Sequence, residues 1–119
     1  MLFVYYPKCG TCKKAKAFLT EQGVEREERD IVLNPPAEEE LRRWQALSGL
    51  PVKKLFNTSG KLYRELELSK KLPQMSEDEQ FALLASDGML VKRPVGVLEG
   101  KVLFGFREEE WRSALGLKA

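Results

Sequence analysis

The ten residues Tyr6-Pro7-Lys8-Cys9-Gly10-Thr11-Cys12-Lys13-Lys14-Ala15 hold two cysteines separated by Gly10 and Thr11, and they sit at a change of pattern. On their N-terminal side, Leu2-Phe3-Val4-Tyr5 is a short apolar and aromatic run that suits a buried strand, and Pro7 to Gly10 breaks it. On their C-terminal side, Ala15, Phe18 and Leu19 fall at i, i+3, i+4, which predicts a helix from Thr11 that Gly23 is placed to end. Val24 to Val32 is highly charged yet reads as a second strand leading to Asn34-Pro35-Pro36. The first third is therefore strand, helix, strand, with both thiols at the start of the helix.

Further along, Pro36, the acids Glu38, Glu39 and Glu40, and the spacing of Leu41, Trp44 and Leu47 predict a second helix that Gly49 and Pro51 stop. From there to about Leu72 the periodicity is poor, with Thr58-Ser59-Gly60 as a loop and one or two short helices over Leu62 to Leu72. Ser76 and Glu79 form a capping box ahead of Phe81, Leu84 and Ala85, and Asp87-Gly88 closes that helix. After Arg93-Pro94, the runs Val95 to Leu98 and Val102 to Phe106 read as strands joined through Glu99-Gly100. Glu108 to Leu115 is a last helix, with Gly116 as its stop. The order βαβ, helical middle, ββα predicts an α/β fold with a mixed sheet: the first two strands parallel, the terminal hairpin antiparallel. One domain over residues 1–119 is expected, with a helical insertion at about 34–88.

Composition narrows the chemistry. The chain has 119 residues, 43% of them hydrophobic, enough for one globular unit with a core that needs no staples. It contains no histidine, which excludes Cys-His and Ser-His pairs, imidazole-ligated metals and a histidine general base. The two cysteines are too few for a disulfide scaffold. No apolar stretch approaches the length of a membrane span, and Met1 to Tyr5 is too short for a secretory apolar region, so a cytoplasmic location is expected. In that compartment a thiol pair stays reduced on average and serves catalysis or metal binding more often than structure.

The net charge of +2 hides a strong alternation. Met1–Thr20 carries four Lys and no carboxylate, Glu21–Glu40 eight acids against two Arg, and Leu41–Arg64 six bases and no acid. Glu65–Asp87 then carries six acids against two bases, and Gly88–Ala119 six bases against four acids. Both cysteines thus lie in a block without negative charge, where a thiolate is favoured and anions are attracted. The overall excess is too small to argue for direct nucleic-acid binding.

A CxxC just after a first strand and at the start of a helix in a βαβ pattern is the setting of a thioredoxin-like, glutaredoxin-like redox site. Unpaired backbone N–H groups and the positive end of the helix dipole stabilise a thiolate there. Lys8, Lys13 and Lys14 add positive charge. Cys9 is the candidate nucleophile and Cys12 the resolving thiol. The competing uses are a zinc site of four cysteines shared between two chains, since this chain alone has no third Cys or His, and an inert pair with Cys12 deeper in the helix. Arg93-Pro94 is the second candidate feature. A proline removes a ladder donor, so it belongs at a strand start or in a special turn. In thioredoxin-like folds such a cis-proline lies against the CxxC, which would aim the Arg93 guanidinium at Cys9 or at a bound anion.

The run Tyr6 to Ala15, the helical middle, and Lys92-Arg93-Pro94 leading to Gly105-Phe106-Arg107-Glu108-Glu109-Glu110-Trp111 together resemble the arsenate reductase (ArsC)/Spx family over essentially the whole chain. The resemblance implies a bacterial, cytoplasmic, thioredoxin-like protein with an inserted helical subdomain. It places the nucleophile on Cys9, the anion-cradling turn on Gly10 and Thr11, and the arginine of the Arg-Pro motif on Arg93. Lys13 and Pro94 complete the candidate substrate-binding set. Glutathione-dependent arsenate reductases have two further arginines around the oxyanion. The matching positions here fall near Asn57 and Phe106, with Arg107 one position out of register. Cys12 points instead to a dithiol mechanism or a redox switch. The implied activity is a thiol-dependent oxidoreductase acting on a disulfide, mixed disulfide or oxyanion. It needs no bound cofactor or metal, and glutathione or a thioredoxin or glutaredoxin serves as reductant. The alternative is a redox-responsive transcription regulator that binds the RNA polymerase alpha subunit. Such regulators carry a C-terminal extension, whereas this sequence ends at Ala119.

Overall fold

Phe3 and Val4 are both fully buried although they are adjacent, because successive side chains of a strand point to opposite faces. Their strand, β1 (Leu2–Tyr5), is therefore covered on both sides. The computed structural model describes residues 1–117, and Lys118 and Ala119 lie outside the described residues. The chain continues through α1 (Gly10–Glu21), β2 (Glu27–Asp30), α2 (Glu38–Ser48), α3 (Lys61–Glu65), α4 (Leu68–Lys71), α5 (Glu77–Ser86), β3 (Val95–Leu98), β4 (Lys101–Phe104) and α6 (Glu108–Ala114). The sheet has four strands in the order β2-β1-β3-β4. β1 is parallel to β2 and antiparallel to β3, which is antiparallel to β4. This is the mixed sheet that the element order predicts.

On one face Phe3 meets Ala15, Phe18 and Leu19 of α1, Leu103 of β4 and Trp111 of α6. Trp111 lies across β3 at Gly96, where an added Cβ would stand 2.8 Å from the indole ring. Its Nε1 donates to the Gly105 carbonyl at 3.0 Å, satisfying the one polar atom of a fully buried side chain. On the other face Val4 joins Leu41 and Trp44 of α2, Phe81 and Leu84 of α5, and side chains from the short turns between them, including Leu55, Phe56 and Leu90.

Three boundaries differ from the pattern reading, each for a physical reason. β2 covers only Glu27–Asp30 of the expected Val24 to Val32. It is an edge strand of four charged residues, tied down by Arg29 to Glu40 and Lys16 to Glu28. The Asp30 carboxylate then accepts from the Val32 and Leu33 N–H groups at 2.8 and 3.1 Å, turning the chain and leaving both side chains exposed. In α2, Leu41 and Trp44 are buried but Leu47 is exposed. Each i+3 step rotates the stripe by about 60°, so two steps carry Leu47 off the covered face. β4 stops at Phe104 because Gly105 turns to φ 79°, with its N–H donating to the Pro94 carbonyl at 2.8 Å.

The unperiodic stretch resolves into a 3-10 turn at Val52–Leu55 followed by the short helices α3 and α4. It is fastened to the segment before β3 by the isolated bridge Phe56↔Val91. Asn57 N–H donates to Leu90 O at 2.8 Å and Lys92 N–H to Leu55 O at 2.7 Å. α5 begins with the expected box: Ser76 N–H donates to Glu79 Oε1 at 2.9 Å and Glu79 N–H to Ser76 Oγ at 3.1 Å.

Candidate active site

Cys9 closes the turn out of β1. Its N–H donates to Tyr6 O and its own carbonyl accepts from Lys13 N–H, both at 3.0 Å. It is therefore the N-cap of α1, with extended backbone (φ −91°, ψ 123°), no conventional side-chain capping bond, and no acid in the first turn. The leading N–H groups of the helix are left for a thiolate or an anion. Burial pushes the half-buried Cys9 thiol up, but the Cys12 backbone N–H, the Cys12 thiol and the Arg93 guanidinium together outweigh it and bring the pKa below the ordinary 9.0. Cys12, one turn along, is 1% exposed. Burial pushes its thiol up to about 12; a backbone hydrogen bond with Tyr6 works against this, and the Cys9 sulfur adds to it. Both thiols are free.

Sheet register brings Arg93 to this point. β3 is antiparallel to β1 with Val95 opposite Val4, so the residues just before β3 lie beside those just after β1. Arg93 stacks over the Tyr6 ring at 5.1 Å and donates from Nη1 to Met89 O at 3.3 Å. Its Nε is buried with no hydrogen-bond partner among the described residues. The Arg93–Pro94 peptide is cis.

Cys9, Thr11 and Arg93 line one groove of about 830 Å³, whose other walls come from Lys54 and the Asn57-Thr58-Ser59-Gly60 turn and from β4 with Phe106 and Arg107. Its charged lining is Lys54, Lys61, Lys92, Arg93, Lys101 and Arg107 against Glu110 alone. Gly10 is exposed at the first turn of α1, and Cys12 lies buried in the same helix. Pro94 is buried behind Arg93, and Lys13 is exposed on α1 outside the groove lining. Asn57 and Phe106, the positions matched to the two further arginines, both reach the groove, and so does Arg107. Phe106 is occupied in packing on Phe18 and Trp111, with ring centroids 5.5 and 5.4 Å away. Sequence reasoning did not single out Lys54, Lys61 or Lys101, and it quoted Lys92 only as part of the Lys92-Arg93-Pro94 run. The available signal was the acid-free block Leu41–Arg64, which holds the first two. Among the described residues no three His, Cys, Asp or Glu side chains gather as a metal site.

Residues 4–114 match the ArsC family. The chain belongs to that family. The chain is 55% identical over 111 residues to the Bacillus subtilis protein YusI, covering 93% of this chain and 94% of that one. The global transcriptional regulator Spx 2 of Bacillus cereus is 29% identical over 107 residues, covering 90% of this chain and 80% of the regulator. The crystal structure of an ArsC family related protein from Bacteroides fragilis superposes with a TM-score of 0.92 at 58% identity, over 94% of each chain. The fold is thus the thioredoxin-like α/β fold of ArsC family structures, and the proteins this chain is similar to include both Spx regulators and a possible arsenate reductase from Streptococcus mutans, 50% identical over 92% of this chain and 95% of that one with a TM-score of 0.83.

Proposed function

We propose that this ArsC protein is a cytoplasmic thiol-dependent oxidoreductase in which Cys9 attacks and Cys12 resolves. The observation that supports it is the placement of two thiols one helical turn apart, Cys9 at the helix N-terminus in a basic groove and Cys12 buried, which brings the first below its ordinary value and pushes the second up to about 12. The Cys9 thiolate attacks one sulfur of a disulfide R–S–S–R′ and expels R′–S⁻. Forming that bond removes the charge on Cys9, and with it one of the causes that hold Cys12 protonated. The Cys12 thiol then gives up its proton to the departing thiolate and attacks the Cys9 sulfur, releasing R–S⁻ and leaving a Cys9–Cys12 disulfide. Substrate gains the two electrons that the cysteine pair loses, and an external thiol, glutathione or a thioredoxin or glutaredoxin, returns them. With an arsenic oxyanion the same thiolate would form a sulfur–arsenic bond with loss of water. Cys12 attack would then leave the electron pair on arsenic.

Arg93 orients the anionic partner, assisted by Gly10 and Thr11 at the helix start. The segment of about residues 34–88, as an insertion in the domain, supplies Lys54 and Asn57 to the opposite wall. The test is to treat the reduced protein separately with arsenate, oxidised glutathione and peroxide and to map the modified sulfur by mass spectrometry. Cys9 modified first is expected, and Cys12 modified first would overturn the roles. The similarity to Spx 2 favours a second reading, a redox-responsive regulator acting on the RNA polymerase alpha subunit. Retention of that subunit by the reduced or oxidised protein in a pull-down would favour it over turnover.

A further inference from the structure

Among the described residues the order β2-β1-β3-β4 leaves β4 as a free edge, and the whole run Lys101 to Arg107 lines the groove that also holds Cys9 and Arg93. Val102, Leu103, Phe104 and Gly105 are buried as side chains, so what they present to the groove is largely backbone. The register shows which groups are free. Gly105 N–H is bonded to Pro94 O, and the pairing continues as Val95↔Phe104, Gly96↔Leu103, Val97↔Val102 and Leu98↔Lys101. In an antiparallel ladder, residues alternate between bonding to the neighbouring strand and facing away. Gly105, Leu103 and Lys101 therefore bond towards β3, while the N–H and C=O groups of Val102 and Phe104 face the groove.

From these observations we propose that the partner of Cys9 is an extended, acidic polypeptide segment carrying a cysteine in a disulfide, which pairs as an added strand with Val102 and Phe104. This rests on the thiol reading above and specifies its substrate class. An unpaired edge is a template for an incoming strand, giving affinity through main-chain bonds with little demand on sequence. Charge selects the segment: Lys54, Lys61, Lys92, Lys101 and Arg107 line its path, with Glu110 as the opposing charge. Direction is favourable as well. The Phe104 end of β4 is the end beside Val95, and β3 in turn places that end beside Val4, near the turn that holds Cys9. From the added strand across β4 and β3 to β1 is three strand spacings, about 14 Å, which roughly four extended residues span. The reactive cysteine accordingly sits about four residues beyond the paired stretch. The Cys9 thiolate attacks its sulfur, expels the other half of the disulfide as a thiolate, and Cys12 then displaces the peptide as its thiol.

The test uses the wild-type reduced protein and short acidic peptides, each with one cysteine activated as a mixed disulfide with 5-thio-2-nitrobenzoate, whose release reports the first step. The reference is free cysteine activated in the same way. The acidic peptide is expected to react about tenfold faster than the reference. Its advantage should shrink as salt rises and vanish when its carboxylates are replaced by lysines. N-methylation of alternate backbone amides removes the donors of one register only. One of the two alternating sets should lower the rate by about tenfold and the other by less than about twofold. Equal effects of both sets, or no advantage of the peptide while the reference modifies Cys9 normally, would overturn this inference and leave the thiol reading intact. Failure of both probes to modify Cys9 would overturn the thiol reading and this inference with it.

Discussion

Among the described residues, the core on one face of the sheet is a cluster of six buried side chains grouped around Trp111, and on the other a cluster of sixteen that joins strand residues to α2, α4, α5 and a succession of short turns. The first core is small, half aromatic and supplied by α1, α6 and the strands beneath them; its role in the site is to hold α1, and so Cys9 and Cys12, against the sheet. The second is spread over many elements, and it delivers what surrounds the thiols: Arg93 through the Phe56↔Val91 bridge, and Lys54 and Asn57 along the groove wall. The reacting atoms belong to one face and their recognition to the other. The two functions should therefore be separable by substitution.

The largest expected effect is on the first face. Trp111→Ala removes the centre of the small core and the bond to Gly105, and should cost about 3–5 kcal/mol in denaturant unfolding. A loss under about 1 kcal/mol would mean that Trp111 is not what holds this core together. On the second face, Gly88→Ala forces a Cβ against the Ile31 carbonyl, a backbone atom that cannot swing aside. The expected loss is about 1–3 kcal/mol by the same measurement. Ser76→Ala should cost about 1 kcal/mol through loss of the α5 cap, while thiol reactivity at Cys9 stays unchanged.

Titration sharpens the contrast between the thiols. Cys9 reactivity should rise with pH through a midpoint below the ordinary 9.0. Arg93→Ala should move that midpoint up and slow alkylation at neutral pH several-fold, with Arg93→Lys restoring part of the shift. Cys12 has the opposite sign. Its folded value of about 12 exceeds the ordinary 9.0, so the unfolded chain releases that proton first and stability falls between those two pH values. Cys12→Ala should flatten that part of the stability curve relative to the wild type, and an unchanged slope would contradict the assignment.

How far the sequence could be read follows the same division. The strand Leu2–Tyr5, the helix of Ala15, Phe18 and Leu19, and the hairpin through Glu99-Gly100 are local signals with a clear period or turn, and they carry Cys9 and Cys12. Arg93 was legible because a proline at a strand start has few roles. Lys54 and Lys61 were not, since they come from a stretch whose placement depends on long-range bonds such as Asn57 to Leu90, which no local pattern encodes. Leu47 and Val32 were misplaced for a related reason: periodicity says which side chains share a stripe, while the neighbouring elements decide how far that stripe is covered.

The pair of bonds Asn57 to Leu90 and Lys92 to Leu55 places two parts of the groove on one crossbeam. One end carries the Asn57 turn and the other leads directly into Arg93. The far wall of the groove and the guanidinium that lowers the Cys9 pKa are thereby anchored by the same pair of backbone bonds.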